Sequence, residues 1–429
     1  MGGDKMALTY DELIEQAKLA CENEDIEKVI EYATQAIGLD AARADGYYWR
    51  GRAHDKTSDY DLAIQDYDKA IAIDPSHALA YVRRGEIYDY KDDYDAAIRD
   101  FDKAIELNPT CAELYNTRGW THDNKEDFDA AVQDYTKAIE LDPAYAEAYY
   151  RRGISHWQMG DDEAALQDYT KAVELDPTHY SSYSFRGRVH ERLGDLDAAI
   201  RDYDKAFEID PEHPLGWHDS MRVHYKKRDY DAVIRECDKV IGLDPNDATT
   251  YNNRGLSYHK KGDCVTALRD FNKALELDPE GTLTYSNRGN VYKDMDDYEM
   301  AMQDFNKAIE LDPKCAKAYC NRGIVYDEKG DYDTAIRDYD KAIELDPELA
   351  NAYGNRGNAY DAKGDFDAAL RDYDKAIELD PTTYASRYSD RGDTYAKKGD
   401  HEAAQRDYDK AIALDPTYAD RLNQLRGER

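Results

Sequence analysis

The chain has 429 residues, with 92 Asp and Glu against 57 Lys and Arg, a formal net charge of −35. A field of that sign repels nucleic acid and anionic membranes, and no apolar run approaches membrane-spanning length. The N-terminal Met-Gly-Gly-Asp-Lys-Met-Ala lacks the apolar core of a secretory signal, and Met6 stands where myristoylation needs Ser or Thr, so a cytoplasmic protein is expected.

In chain order, residues 1–9 read as an extension and residues 10–43 as a degenerate helical hairpin. Ala36-Ile37-Gly38-Leu39-Asp40 aligns with Ala70-Ile71-Ala72-Ile73-Asp74, but Ala17, Val29 and Ala33 replace the Gly, Ala and aromatic of later units. Such a terminal unit is expected to cap an otherwise open core. From residue 44 to 418 a 34-residue period takes over, with Gly51, Gly85, Gly119, Gly153 and Gly187, then Gly255, Gly289, Gly323 and Gly357 in one phase. Pro75 to Pro381 keep the same period. Eleven units begin at Ala44, Ala78, Ala112, Ala146, Tyr180, Pro214, Ala248, Thr282, Ala316, Ala350 and Ala385, the last after a one-residue insertion between Pro381 and Gly392. Residues 419–429 read as a short closing helix.

Within a unit, positions 4, 8 and 11 (Tyr81, Gly85, Tyr88) share one face of a first helix. Positions 20, 24 and 27 (Ala97, Phe101, Ala104) share one face of a second. Asp at position 16 suits an N-cap, and a preceding glycine such as Gly160, Gly194, Gly330 or Gly364 suits a left-handed turn. Asp-Pro or Asn-Pro ends the second helix. Small residues at 8, 20 and 27 around an aromatic at 24 resemble the tetratricopeptide repeat, over nearly the whole chain. The resemblance implies an all-α fold of antiparallel helix pairs stacked into a right-handed superhelical solenoid. It also implies a concave surface, lined mainly by first helices, that receives an extended peptide or a partner helix.

Position 7 is Arg in ten units and position 23 is Asp in the same ten, while the sixth unit has Ser220 and Glu236. This pairing predicts a cross-helix ion-pair ladder; the alternative is a row of anion-binding arginines. His54, His122, His156, His190 and His224 stand at position 11 in place of the core Tyr. Equivalent residues on helices about 8–10 Å apart cannot share one ion with bonds of about 2 Å, so packing is expected there. Six scattered cysteines without a CxxC pair indicate free thiols and neither zinc nor redox chemistry. The sixth unit exchanges its core as a set, with Met221, Val233, Cys237 and Val240.

Positions 2, 5, 9, 12 and 13 are expected to lie opposite the core and face the groove. Three zones vary there. The first is aromatic, with Val82, Tyr90, Trp120, Tyr150, Ile154 and Trp157, either partner anchors or a buried self-contact. The second is basic, with Arg188, Arg192, Arg222, Lys226 and Lys260. It would hold an acidic peptide or a C-terminal carboxylate, or else neutralise scaffold acid such as Glu191. The third is amide-rich, with Asn253, Asn287, Asn321 and Asn355 at position 6, flanking the concave arc. Amides pair with peptide backbone whatever its side chains, or they are ordinary helix-surface residues. This row is similar to the asparagine ladder of O-linked N-acetylglucosamine transferase, though the first five units carry Trp49, Arg83, Thr117, Arg151 and Phe185 there.

These readings predict a non-enzymatic scaffold that binds a protein or peptide, without cofactor or metal. Alternatives are a self-associating structural repeat protein, as a homo-oligomer, and an accessory subunit that targets a separate enzyme. The clamp for heat-shock chaperone tails needs Lys at position 5, and no unit has one. The abundant carboxylates serve caps and ion pairs, and no nucleophile–base set stands apart from the repeat.

Overall fold

The computed structural model describes residues 8–211, 214–381 and 385–419, and among them all regular structure is α-helical, in 24 helices. The chain divides into two compact bodies, Met1–Val223 and His224–Arg429. The first holds the N-terminal hairpin and repeats one to five, the second repeats seven to eleven, and the division falls within the first helix of repeat six (Pro214–Lys226). The residues assigned to a closing helix, apart from Ala419, lie outside the described residues.

The hairpin is Tyr10–Glu22 and Ile26–Leu39. Its entry is fixed by a capping box, in which Thr9 Oγ1 accepts from Glu12 N and the Glu12 carboxylate accepts from Thr9 N. Every repeat then has the same bounds. The first helix occupies positions 1–13 and the second 17–30, from Ala44–Lys56 and Tyr60–Ile73 to Ala385–Lys397 and His401–Leu414. The two helices that flank the insertion are Phe366–Leu379 and Ala385–Lys397, and residues 382–384 between them lie outside the described residues.

Local chemistry explains the constancy. In ten repeats the position-16 Asp accepts from the amide three residues on, as Asp93 does from Ala96 N at 3.1 Å. Asp59 departs from the expected cap. Its carboxylate takes the Thr57 hydroxyl at 2.8 Å instead, a partner that only the first repeat places two residues upstream. Position 15 has positive φ throughout. Gly160, Gly194, Gly330 and Gly364 lie at 78–86°, while Ser58, Asp92, Glu126, Arg228 and Asp296 hold 59–63° despite a Cβ. In eight repeats the Asp before the proline accepts from the amide two residues on, as Asp176 Oδ1 does from Thr178 N at 2.9 Å.

The core sits between the two helices of each repeat. Tyr67, Phe101, Tyr135, Tyr169, Tyr203, Phe271, Phe305, Tyr339 and Tyr373 are all fully buried beneath the position-8 glycines. A Cβ on Gly323 would stand 2.7 Å from the Tyr339 ring, so nothing larger than hydrogen fits without displacing it. In repeat six Met221, Val233, Cys237 and Val240 are each buried.

The ladder is present in all ten repeats that carry the pair. From Arg50–Asp66 to Arg391–Asp407, Nε and Nη2 hold both carboxylate oxygens at 2.5–2.9 Å. A third bond was not foreseen. In eight of the ten, all but Arg50 and Arg186, Nη1 reaches back to position 25 of the preceding repeat, as Arg118 to Asp102 (2.5 Å), Arg152 to Thr136 (2.9 Å) and Arg322 to Asn306 (2.7 Å). The same arginine thus ties two helices within a repeat and one repeat to the last. Ser220 keeps only that backward link, to Asp204 at 3.3 Å. The position-11 histidines pack on these pairs, with His54, His122, His156 and His190 Nε2 at 3.8–3.9 Å from the ladder aspartates.

Candidate protein-binding face

The first helices of successive repeats lie side by side and present the residues that vary. One expectation fails here. Position 5 does not face the groove freely: Tyr48, Asn116, Ser184, Ser286, Cys320 and Ser389 are buried. The next repeat's first helix and its entry cover this position. The Tyr48 ring lies 4.7 Å from His77, and Asn287 Nδ2 donates to Asn252 Oδ1 at 3.0 Å. Helical phase within one repeat cannot reveal a neighbour 35 residues away.

In the aromatic zone, Tyr150, Ile154 and Trp157 form a half-buried layer on the Tyr169 cluster. Phe185, which sequence reading treated only as an exception to the amide row, is its keystone, with rings of Tyr150 at 5.8 Å, Trp157 at 6.2 Å and Tyr169 at 6.0 Å. Trp120 is 42% exposed, with the Arg151 guanidinium 4.2 Å above its ring. Tyr90 is exposed beside Tyr60, 4.9 Å between centroids, and Val82 is half-buried.

The basic zone is divided. Arg188, Arg192 and Arg222 belong to the first body, Lys226 and Lys260 to the second. Each arginine is engaged by scaffold acid: Arg188 Nε with Asp219 at 2.9 Å, Arg192 Nε with Asp162 at 2.6 Å, and Arg222 with Glu191 at 2.5 Å and Asp219 at 2.9 Å. Arg192 also lies over Trp157, 5.3 Å from the ring centroid. Lys260 is exposed.

The amide zone is partly interlocked. Asn252 Nδ2 contacts Asn253 Oδ1 at 3.5 Å, and Asn355 Nδ2 donates to Cys320 Sγ at 3.8 Å. Asn321 and Asn355 border a pocket of about 370 Å³, with Cys320, Ile324 and Leu349 as its apolar wall and Lys317 and Asn351 on its rim. Burial pushes the Cys320 thiol up to about 11, so it stays protonated and acts as wall. Beyond it, Arg387 replaces the small residue usual at position 3 and is buried. It donates to Asn355 Oδ1 at 2.8 Å and fits only because residue 354 is glycine, where a Cβ would stand 2.2 Å from its Nε.

Sequence reading also missed a column of acids at position 12. Asp123 accepts from the Ser155 and Tyr135 hydroxyls, each at 2.7 Å, and burial raises its carboxyl above the usual range. Asp55 is raised by burial as well, against the opposing charges of Arg83 and Arg52. Asp327 is raised to about 6 by burial and by Glu328. The signal was an acid recurring at one position of the first helix; the abundance of acid elsewhere masked it.

Several solved structures are similar to this chain. The APC/C hetero-tetramer Cut9–Hcn1 aligns at 15% identity over 96% of this chain and 95% of that one, with a TM-score of 0.49. Yeast Tom70 aligns at 16% identity over 96% and 99%, with a TM-score of 0.47. YrrB, described as a TPR protein with an unusual peptide-binding site, aligns at 27% identity over 43% and 96%, with a TM-score of 0.39. No curated protein sequence matches the chain. The tetratricopeptide repeat profile matches residues 44–77, 78–111, 146–179, 248–280, 283–315, 316–349, 350–383 and 385–418. Related TPR repeat profiles match 124–160 and 181–213. These matches cover most of the sequence, and the chain belongs to the tetratricopeptide repeat family.

Proposed function

We propose that the chain is a non-enzymatic scaffold that binds an extended segment of a partner protein along the face lined by its first helices. The observation that carries this reading is the pocket beside Asn321 and Asn355, where amide edges flank an apolar wall. That combination suits a peptide, whose backbone takes the amides while one side chain enters the pocket. Trp120 and the Tyr150–Trp157–Phe185 layer are a second anchor on the same kind of face. The arginines of the basic zone are the weaker seat for an acidic ligand, because Asp219, Asp162 and Glu191 already hold them. The N-terminal hairpin serves as the cap of the repeat array. Six free cysteines fit a reducing compartment such as the cytoplasm.

The test uses a partner recovered on the wild-type chain. Its affinity should fall at least about tenfold in Asn321→Ala/Asn355→Ala, the loss of one or two hydrogen bonds to a buried backbone. Unchanged affinity in that variant and in Trp120→Ala would refute binding on this face. A chain that captures only itself would favour the self-associating alternative.

A further inference from the structure

We infer that the first-helix face of repeats nine and ten carries a seat for a cationic side chain, a lysine or arginine of the bound segment, built on Asp327 and the Tyr339 hydroxyl. The inference rests on the groove reading above and specifies its ligand.

At four of the five other position-12 acids the repeat that follows supplies a donor; the fifth, Asp55, has no side-chain hydrogen bond among the described residues but lies in the opposing charges of Arg83 and Arg52. Asp89 receives Asn124 Nδ2 at 3.3 Å, Asp123 receives the Ser155 hydroxyl at 2.7 Å, and Glu191 receives Arg222 at 2.5 Å. Asp361 receives the Thr394 hydroxyl at 2.8 Å and the Lys397 ammonium. Thr394 and Lys397 stand at positions 10 and 13 of repeat eleven. The same positions in repeat ten are Ala359 and Ala362, whose side chains cannot donate. Among the described residues no hydrogen bond reaches the Asp327 carboxylate, and the charge acting on it is the like charge of Glu328.

A second observation points to the same place. The Tyr339 side chain is fully buried and its hydroxyl has no partner, while Asp327 is its foremost electrostatic neighbour, ahead of Cys320 and of Arg387, which Asn355 holds. The Tyr67 hydroxyl beside Asp55 is also without a partner, but there Arg52 and Arg83 supply the opposing charge. In repeat three the corresponding hydroxyl, Tyr135 Oη, bonds Asp123 at 2.7 Å. An orphaned hydroxyl, which can also accept, beside a carboxylate with unused lone pairs is a site for an ammonium or guanidinium. Lys397 on Asp361 demonstrates that a lysine fits this position of the frame. At Asp327 the cation must come from outside. Ile324, one helical turn before Asp327, belongs to the apolar pocket, so the ligand presents an apolar side chain next to its cation.

The test is selection of a displayed, randomised twelve-residue peptide library on the full chain, on Asp327→Asn, and on Ala362→Lys, which grafts the Lys397 arrangement onto Asp327. Wild type should enrich Lys or Arg at one position, and both variants should lose that enrichment. A recovered peptide should bind Asp327→Asn at least about tenfold more weakly, the worth of one charge-assisted hydrogen bond. Peptides recovered without a cationic preference, or with equal affinity for Asp327→Asn, overturn the seat and leave the groove reading standing. Recovery of no peptide on any of the three chains overturns both.

Discussion

Repeats three to five and repeats seven to ten share one backbone frame and finish the same face in opposite ways. In the former, Tyr150, Trp157 and Phe185 close ring against ring, Arg151 covers Trp120, and Arg188 and Arg192 are held by acids. In the latter, short amides and a cysteine leave a pocket, and Asp327 has no donor. Large side chains reach one another and complete their own contacts, whereas small polar ones leave hydrogen-bonding edges open. The frame sets stability and the finish sets what can bind, so substitutions should separate the two.

The sharpest separation is between two kinds of arginine. Arg322→Ala leaves Asp338 buried without its cation and removes the link to Asn306, and should cost about 3–5 kcal/mol in chemical denaturation. Partner affinity should change little. Arg188→Ala, at the partly exposed face, should cost under about 1 kcal/mol. Equal losses would erase the distinction between frame and face. Next, Gly323→Ala forces the Tyr339 ring aside and should cost about 1–3 kcal/mol; a neutral melting curve would show slack in the frame.

Asp327→Asn should do the reverse. The folded chain holds this carboxyl at about 6, above the ordinary 3.8, so it binds a proton more tightly than the unfolded chain does. Wild type therefore loses stability as pH rises from about 4 to 6 and carries the full penalty above that. For a half-buried group screened by solvent, Asp327→Asn should gain about 1 kcal/mol near neutral pH. The gain should vanish by about pH 4, and a pH-independent gain would contradict the assignment. The smallest effect is Asp92→Gly. Relief of a left-handed conformation of about 1–2 kcal/mol is offset by glycine's entropy cost of about 0.5–1 kcal/mol, which leaves a rise in melting temperature of a degree or two at most.

Much of the frame was legible because it repeats. Helix bounds, the Asp caps and the Arg–Asp pairs follow from residues that recur together, and the sixth repeat's joint change to Ser220 and Glu236 marked the two positions as a set. The backward link of eight ladder arginines was not legible, because its acceptor is Asp102, Thr136 or Asn306 by turns and shows no constant type. Burial of position 5 was hidden for another reason. It depends on contact between repeats, such as Asn287 with Asn252, while the helical wheel reports only contact within one. Phe185 was visible as a residue but not as the centre of a layer, since its three ring partners come from two other helices. Asp327 stood among 92 acids, and only the alanines opposite it distinguish it from Asp361.

The most direct test of the binding face is photo-crosslinking of the partner to a benzophenone side chain placed at residue 324, in the pocket wall, or at residue 337, on the exposed side of a second helix. A covalent adduct from Ile324 and none from Arg337 is the predicted result. An adduct from Arg337 alone would put the partner on the second helices and contradict the account.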